Sequence, residues 1–399
     1  MSSNRQNTKI IISKVSSFHL NWDAGDMYMN ALESCLKFIG QECAYWWLAG
    51  VSGDAFKFIY DKDDVREPMR DRVPIDTVSL ACSAMGWRGI WCVDEKIEIV
   101  INHIKESLKQ NIPVLTTNLV HKWYHGANII TGIDDKDKKF FLQIGREDVL
   151  KPYSYEKIPI PESWDGPIPG PITWANNPIF LLKEIVNVPG EEKIISKSLT
   201  QAVELQNIKS LPYKDHPGAQ KYSTPLLTGK TARCGRSAFK ELKDEIMHSV
   251  ITWPVIWRIT TQCGQLSYDR SNAAKFLKTF ASKYPQYSNL DKISDLFNET
   301  MNNANTLKKS YWDDRLNHIN NPETFLKEMY GSYSFVYNIS SLEGDKLKQF
   351  RKILPVMETL WGPAVILDSS TRRMYNLKLI NAIINAENHC FKLLERFIE

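Results

Sequence analysis

Apolar and polar residues alternate along the first half of the chain in a pattern that predicts helices and strands in mixed order. Residues 26–39 place Met29, Leu32 and Leu36 at three- and four-residue steps before Gly40, which predicts a helix. Further helices are predicted at 44–49, 74–86 and 96–110, and strands at 55–60, 90–93, 114–119, 128–133 and 140–144. The last two strands flank an Asp-rich turn, which indicates a β-hairpin.

From residue 196 onward the apolar residues recur with helical spacing almost throughout. Helices are predicted at 199–205, 232–251, 270–283, 290–307, 325–329 and 369–399. In the last of these, Leu377, Ile380, Ile384, Phe391 and Leu394 form a stripe with a near 3.6-residue repeat. The pattern predicts a helical bundle that also covers one side of the first half.

A proline-rich stretch separates the hairpin from the last strand of the first half. Seven of the 19 prolines fall within 151–178, which predicts an extended loop because proline fixes φ and lacks an N–H donor. Residues 179–186 then resemble one more strand. The sequence therefore predicts two domains, an α/β domain at 1–190 and an all-α domain at 191–399.

Composition and charge exclude several classes of protein. The net charge of +4 is small for a chain of 399 residues, and the lysines and arginines are scattered along the sequence. Both observations argue against nucleic acid as a partner, because phosphate binding needs a concentrated basic face. No apolar run is long enough to span a membrane, and the N-terminus lacks the apolar core of a signal peptide. We therefore expect a soluble cytoplasmic protein with no membrane partner.

The cysteine and histidine spacings predict neither a metal nor a disulfide framework. Seven widely spread cysteines without a CxxC pair indicate reduced, mostly buried thiols. His121 and His125 are four apart, but HKWYHG is not helical and has no carboxylate at ligand spacing. The GKT at 229–231 lacks the first glycine of a phosphate loop, because position 224 is threonine. No cofactor is predicted.

Tryptophan is abundant in the part of the first half that precedes the predicted hairpin. The chain has 12 tryptophans, and half of them lie between Trp22 and Trp123. Large aromatic side chains often line ligand clefts, so Trp22, Trp46, Trp47 and Trp123 are candidate cleft walls. An aromatic core is the alternative.

The order of a helix start and a later histidine carries the candidate chemistry. A helix begins at Asp26, and the strand segment HGANIITGIDD begins at His125 about a hundred residues later. This order resembles the papain-like fold, where a nucleophile sits at a helix N-terminus and a histidine that opens a strand acts as base. With one inserted residue, the segment also resembles the histidine strand of bacteriocin-leader-processing cysteine peptidases.

A wider resemblance covers nearly the whole chain. GDMYMNALESCLKFIGQECAYWWLAGVSGDAFKF is similar to the opening of the butirosin biosynthesis protein H-like group, with its helix and GxSGxAF turn. SLTQAVELQ, CGRSAFKELKDEI, RSNAAKFLKTFASKYP and NAENHCFKLLERFIE resemble the group's helical extension. The resemblance implies a papain-like α/β domain at 1–190, a helical domain after it, and acyl transfer from a carrier-protein thioester to an amine in bacterial biosynthesis.

The resemblance also implies roles for single residues. The family's cysteine position holds Asp26, which could act as base or nucleophile or only cap the helix. Cys35 is the candidate thiol, although its place beside Leu36 predicts a core position. His125 is the candidate base. If the alignment with the family is shifted by one residue, Gly126 occupies the position of the family histidine. Gln143 on the returning strand would orient the imidazole, and Ser52 in the glycine turn would contribute to binding.

Two hypotheses remain open. The first is an enzyme of acyl or peptidyl transfer, or of hydrolysis, in the cleft near Asp26 and His125, and its cysteine form requires Cys35 or Cys43 to reach that cleft. The second is a catalytically degenerate relative that keeps the cleft as a binding module for a small molecule, a peptide or a carrier protein. The position of the nucleophile decides between them.

Overall fold

An antiparallel sheet with helices against both faces forms the first half of the chain. This is seen in a computed structural model, which describes residues 9–13, 15–16, 18, 26–60, 76–92, 96–117, 127–143, 150–155, 179–185, 187–212, 231–248, 253–318 and 370–398. The described part of the chain is a mixed α+β fold, with the larger sheet in the first half and long helices in the second. The prediction of an all-α second half was wrong, because Ser210–Pro212 and Thr231–Cys234 are strands of a smaller sheet.

Within the described residues, the larger sheet has seven strands and a smaller sheet has three. The strands are β1 (Lys9–Ile11), β2 (Ile59–Tyr60), β3 (Trp87–Cys92), β4 (Val114–Thr117), β5 (Ala127–Asp134), β6 (Lys139–Gln143), β7 (Lys151–Ser154), β8 (Ile179–Ile185), β9 (Ser210–Pro212) and β10 (Thr231–Cys234). The larger sheet has the order β3-β8-β4-β5-β6-β7, with β1 paired to the second half of β5. The smaller sheet has the order β2-β10-β9.

The helices of the described residues differ greatly in length. They are α1 (Met27–Phe38), α2 (Tyr45–Val51), α3 (Thr77–Ala84), α4 (Ile97–Lys109), α5 (Glu191–Asn207), α6 (Gly235–His248), α7 (Trp253–Lys283), α8 (Asn289–His318) and α9 (Ser370–Ile398), with short 3-10 helices at Asp54–Phe56 and Pro285–Tyr287. No helix in the described ranges combines the length and apolar character needed to cross a bilayer.

Local periodicity predicted most of the first half correctly. The helix predicted at 26–39 is α1, with Asp26 as its N-cap and Ile39 as its C-cap. The predicted hairpin is formed by β5 and β6, and its turn is held by the Asp134 carboxylate, which accepts from the backbone N–H groups of Lys136 and Asp137. These elements depend on short-range patterns, so the sequence alone was sufficient.

Two predictions in the first half were wrong in extent. The strand predicted at 55–60 is reduced to β2, because Gly53 has a φ of +78° and turns the chain into the 3-10 helix before it. Residues 151–154 form β7 instead of the start of a loop. This strand ends the order of the sheet, where Pro152 is tolerated because an edge strand needs fewer N–H donors.

Two helices of the second half differ in extent from the prediction. Helix α6 begins only at Gly235, because residues 232–234, predicted to be helical, pair in β10. Helix α7 has 31 residues, and it begins at Trp253 although periodicity indicated a helix only from residue 270. Its first half is buried nearly all round and includes buried polar residues such as Thr260 and Gln265, so no simple apolar stripe marks it. Residues 325–329, predicted to be helical, lie outside the described part of the chain.

One hydrophobic core joins the two halves. Helices α7, α8 and α9 pack together, and α7 also packs against α2 of the first half. Phe276 and Phe280 of α7 share a core cluster with Leu32 of α1 and Ile129 of β5. The smaller sheet also contains strands from both halves, because β2 of the first half pairs with β10 of the second. The bundle therefore covers one side of the α/β half, as expected, while the domain boundary near residue 190 stays a prediction.

Candidate functional site

The start of α1 is a buried polar junction centred on Asp26. The Asp26 Oδ1 accepts a hydrogen bond of 3.0 Å from the Met29 backbone N–H, which is the geometry of a helix N-cap. The Asp26 N–H donates to the Tyr45 hydroxyl at 2.8 Å, and its carbonyl accepts from the Asn30 side-chain amide at 3.0 Å. The capping role considered for Asp26 is thus confirmed, with the residue only 6% exposed.

Capping uses only one oxygen of the Asp26 carboxylate. Among the described residues, Oδ2 has no hydrogen-bond partner. A carboxylate oxygen is a strong hydrogen-bond acceptor. The α1 start therefore keeps one acceptor that a ligand donor or a reacting proton could use.

Aromatic side chains surround this junction, but they are mostly not the predicted ones. Tyr45 packs on Tyr268 with ring centroids 5.4 Å apart, and Tyr28 meets Trp91 edge-on at 6.0 Å. The Trp91 indole N–H donates to Asp76, the N-cap of α3, at 3.2 Å. None of these four aromatic residues was predicted from the sequence as part of a site. The capping position of Asp76 before a helix was the available signal.

The sheet face beneath α1 carries the predicted Gln143. Helix α1 packs on β4 and β5, where Leu115 and Ile129 join its core cluster. Gln143 pairs directly with Ile129 across β5 and β6, so their side chains point to the same face. Gln143 is fully buried there. The structure thus places this residue on the face of the sheet that supports α1.

Three of the predicted site residues lie outside the described part of the chain. These are His125, Trp22 and Trp123. Gly126, the alternative to His125, also lies outside the described residues. Strand β5 begins at Ala127, two residues after His125. The approach of the histidine to Asp26 therefore stays a prediction.

The predicted thiols do not stand at the helix start. Cys35 is 1% exposed within the α1 core, roughly 13 Å along the helix axis from Asp26, and burial raises the pKa of its thiol far above the usual range. Cys43 is half-buried, and desolvation together with Glu33 raises its pKa to about 12. All seven cysteines are free, and the six other than Cys43 are buried. Because the thiolate is the nucleophile, these environments oppose cysteine chemistry.

Ser52 and its glycine turn lie inside the molecule. The Ser52 side chain has no exposed surface, and its hydroxyl donates to the Ala49 carbonyl at 3.3 Å. The Ser52 carbonyl accepts from the Gln201 amide of α5 at 2.9 Å. Gly50 has no room for a side chain, since a Cβ there would lie 2.4 Å from the Phe276 ring. The turn joins α5 and α7 to the first half instead of facing a cleft.

Trp46 and Trp47 pack toward α7. The Trp47 ring stacks on Phe280 at 5.4 Å, and the Trp46 ring carries the Lys275 ammonium at 5.2 Å. Both tryptophans are half-buried at the edge of the shared core. This position agrees with the aromatic-core alternative for the two residues.

Comparison with known proteins adds no assignment to this geometry. No model of a known protein family matches the chain, and no curated protein matches it in sequence. Within the described ranges, no group of three or more His, Cys, Asp or Glu side chains is arranged to hold a metal ion. The role of the α1 start therefore rests on its own contacts.

Proposed function

We propose that this chain is a papain-like relative without a thiol nucleophile, which binds an acyl or peptidyl ligand at the start of α1. The observation that carries the proposal is the residue at that helix start. Asp26 stands where the family resemblance expects a cysteine, while every cysteine of the chain lies elsewhere and six of the seven are buried. Packing of α1 on β4 and β5, with Gln143 on the same face, supports the papain-like arrangement.

The polar groups at the helix start suit an amide-like ligand. The first turn of a helix has four backbone N–H groups without intrahelical acceptors, and the Asp26 side chain satisfies that of Met29. The remaining donors favour a ligand carbonyl or carboxylate, and the second oxygen of Asp26 favours a ligand N–H or O–H. A peptide or an N-acylated amine provides this combination.

A second candidate function uses Asp26 as a general base. It is favoured by the same Oδ2 atom, because a carboxylate oxygen that accepts no hydrogen bond from the described residues can accept a proton from water or an amine. The reaction would be thiol-independent hydrolysis or acyl transfer. The two candidates differ in whether the bound acyl group is turned over.

Thiol labelling tests the absence of a nucleophilic cysteine. Native protein treated with iodoacetamide at pH 8 should show slow modification of Cys43 and protection of the six buried cysteines, as read by mass spectrometry. Protein unfolded in urea is the control and should be modified at all seven positions. Rapid, selective labelling of Cys35 in the native state would restore the cysteine mechanism and contradict the proposal.

Thioester turnover separates binding from catalysis. With S-acetyl-N-acetylcysteamine as probe, release of free thiol should stay at the uncatalysed rate for the wild-type chain and for Asp26→Asn. Binding of N-acetylated dipeptide amides should be detectable by calorimetry and should weaken in an Asp26→Ala variant. Turnover that is lost in Asp26→Asn but kept in Cys35→Ala would establish the general-base alternative instead.

A further inference from the structure

A cavity of about 230 Å³ lies between the end of α5, the first half of α6 and the middle of α9. We propose that it binds a small organic phosphate that also carries a hydroxyl group. Residues of the α1 start do not line this cavity, so the proposal goes beyond the function proposed above and does not depend on it.

Positive charge is concentrated on the α6 side of the cavity. Arg236, Lys240 and Lys243 line it at i, i+4 and i+7 spacing, which places them on one face of the helix. The first turn of α6 has no acidic residue, although a helix N-terminus is already positive and favours acids. Arg236 pairs with the half-exposed Glu395 at 3.0 Å, whereas the two lysines form no ion pair with any described residue. This arrangement of like charges favours an anion.

The negative charge of Glu387 in the cavity wall is neutralised by an arginine that does not itself line the cavity. Glu387 also lines the cavity, but its two oxygens accept from the Arg270 guanidinium at 2.7 and 2.9 Å. This bidentate pair is almost fully buried. The charges of the α6 face are therefore not cancelled by Glu387, and the two lysines without an ion pair among the described residues match a phosphate better than a single carboxylate.

A buried amide beside these cations needs a hydrogen-bond donor. Gln206 lines the cavity and is 2% exposed, and its Nε2 donates to the Phe56 carbonyl at 3.2 Å. That bond fixes the orientation of the amide, because only the nitrogen can donate. Gln206 Oε1 has no partner in the described part of the chain. A hydroxyl on the ligand would satisfy it and remove a desolvation cost.

The backbone holds Gln206 tightly against α6. Gly235 has a φ of +54°, and a Cβ there would lie 2.6 Å from the Gln206 backbone. The glycine thus permits the end of α5 to approach the cationic start of α6. Phe239 and Ile384 contribute apolar wall. The volume is below that of typical drug-sized pockets, so a ligand of a few carbon atoms fits best.

Calorimetric titration of the full chain with sn-glycerol 3-phosphate at low ionic strength tests the site. We expect saturable one-site binding that weakens at least about tenfold in the double variant Lys240→Gln/Lys243→Gln, because charge-assisted hydrogen bonds are lost. The matched control is Lys275→Gln/Lys278→Gln, two exposed lysines with the same spacing on α7, and it should bind as the wild type does. Added salt should weaken binding.

The proposal is overturned if the wild type shows no saturable binding, or if both double variants lose affinity equally. Inorganic phosphate and glycerol form the other arms of the experiment. Each should bind more weakly than glycerol 3-phosphate, and Gln206→Met should remove the advantage of the ester over inorganic phosphate. Equal affinity for the ester and inorganic phosphate in the wild type would refute the hydroxyl contact.

Discussion

Two buried polar regions of this protein differ in where their hydrogen-bond partners come from. In the segment 50–57, which runs from the end of α2 through the 3-10 helix, backbone carbonyls accept from side chains of the second half of the chain. Gly50 accepts from Ser198, Ser52 from Gln201, Phe56 from Gln206, and Ala55 and Lys57 from Arg270. At the α1 start, the partners of Asp26 are all in the first half, and its Oδ2 has none among the described residues.

This difference separates a structural attachment from a candidate site. We call the attachment the join: it consists of residues 50–57 and the side chains of the second half that bond to them. The turn GVSGDAF carried the family resemblance and suggested a functional loop, yet its carbonyls and its glycines are used to attach the helices of the second half. Asp26 is a single residue in an ordinary capping position, and it retains an acceptor. The contacts therefore favour the α1 start over the glycine motif as the candidate site.

Buried charges strengthen the join. Arg270 is fully buried and pairs with Glu387 of α9, and Lys57 pairs with Asp54 at 2.6 Å inside the turn. Removal of one partner from such a pair leaves an uncompensated charge in a water-poor interior. The largest effects of mutation are expected at these positions.

Deletion of residues 370–399 should have the largest effect. It removes α9, including the buried Phe391 and Leu394, and leaves Arg270 without its carboxylate partner. The loss of one buried ionic partner alone costs about 3–5 kcal/mol, against a total stability of roughly 5–15 kcal/mol for a typical native protein. We expect insoluble or strongly destabilised protein by yield and thermal melting. A truncated form with unchanged melting behaviour would show that α9 is not part of the join.

The substitution Arg270→Met tests the join at a single residue. It should lower the free energy of unfolding by about 3–5 kcal/mol, measured by urea denaturation, because Glu387 becomes an unpaired buried charge. Lys283→Met is the control, since its exposed pair with Glu191 should contribute less than about 1 kcal/mol. The double variant Arg270→Met/Glu387→Met should recover part of the loss. Equal effects of the two single substitutions would contradict the prediction.

Short-range patterns predicted the elements that position the site. Helix α1 and the β5-β6 hairpin follow from the spacing of a few apolar residues between capping or turn residues. Gln143 was nominated through the family resemblance. Its position beneath α1 follows only from the pairing of β5 with β6, because strand register fixes the face to which a side chain points.

Long-range contacts were beyond the sequence. Arg270 and Glu387 are 117 positions apart, and neither lies in a local pattern that predicts the other. The first half of α7 was missed because burial all round removes the amphipathic signal. Gly50 was predicted from the sequence to be part of a turn. The structure shows that glycine is needed there because the Phe276 ring of α7 leaves no room for a side chain. Tertiary packing supplied each of these features.

Gly50→Ala tests whether the turn is fixed by packing. The new methyl group would lie 2.4 Å from the Phe276 ring, so we expect a loss of about 1–3 kcal/mol in urea denaturation. Gly190→Ala is the matched control, because nothing lies within 4 Å of its Cβ position and its φ of −56° suits alanine. The control should change stability by less than about 0.5 kcal/mol. A Gly50→Ala protein as stable as the control would mean that the turn has room to move away from α7.

The smallest expected effects are at Asp26, and they separate its capping role from its chemistry. Asp26→Ala removes the acceptor for the Met29 N–H and should cost about 1 kcal/mol of stability. Asp26→Asn keeps a capping oxygen, so its melting behaviour should stay close to that of the wild type. Asparagine cannot take up a proton as a base. Any ligand binding that persists in this variant is therefore due to the other polar groups of the helix start and not to a basic carboxylate. A strong destabilisation by Asp26→Asn would instead show that the negative charge of the carboxylate is needed for folding, and Asp26 would then resemble the charged residues of the join.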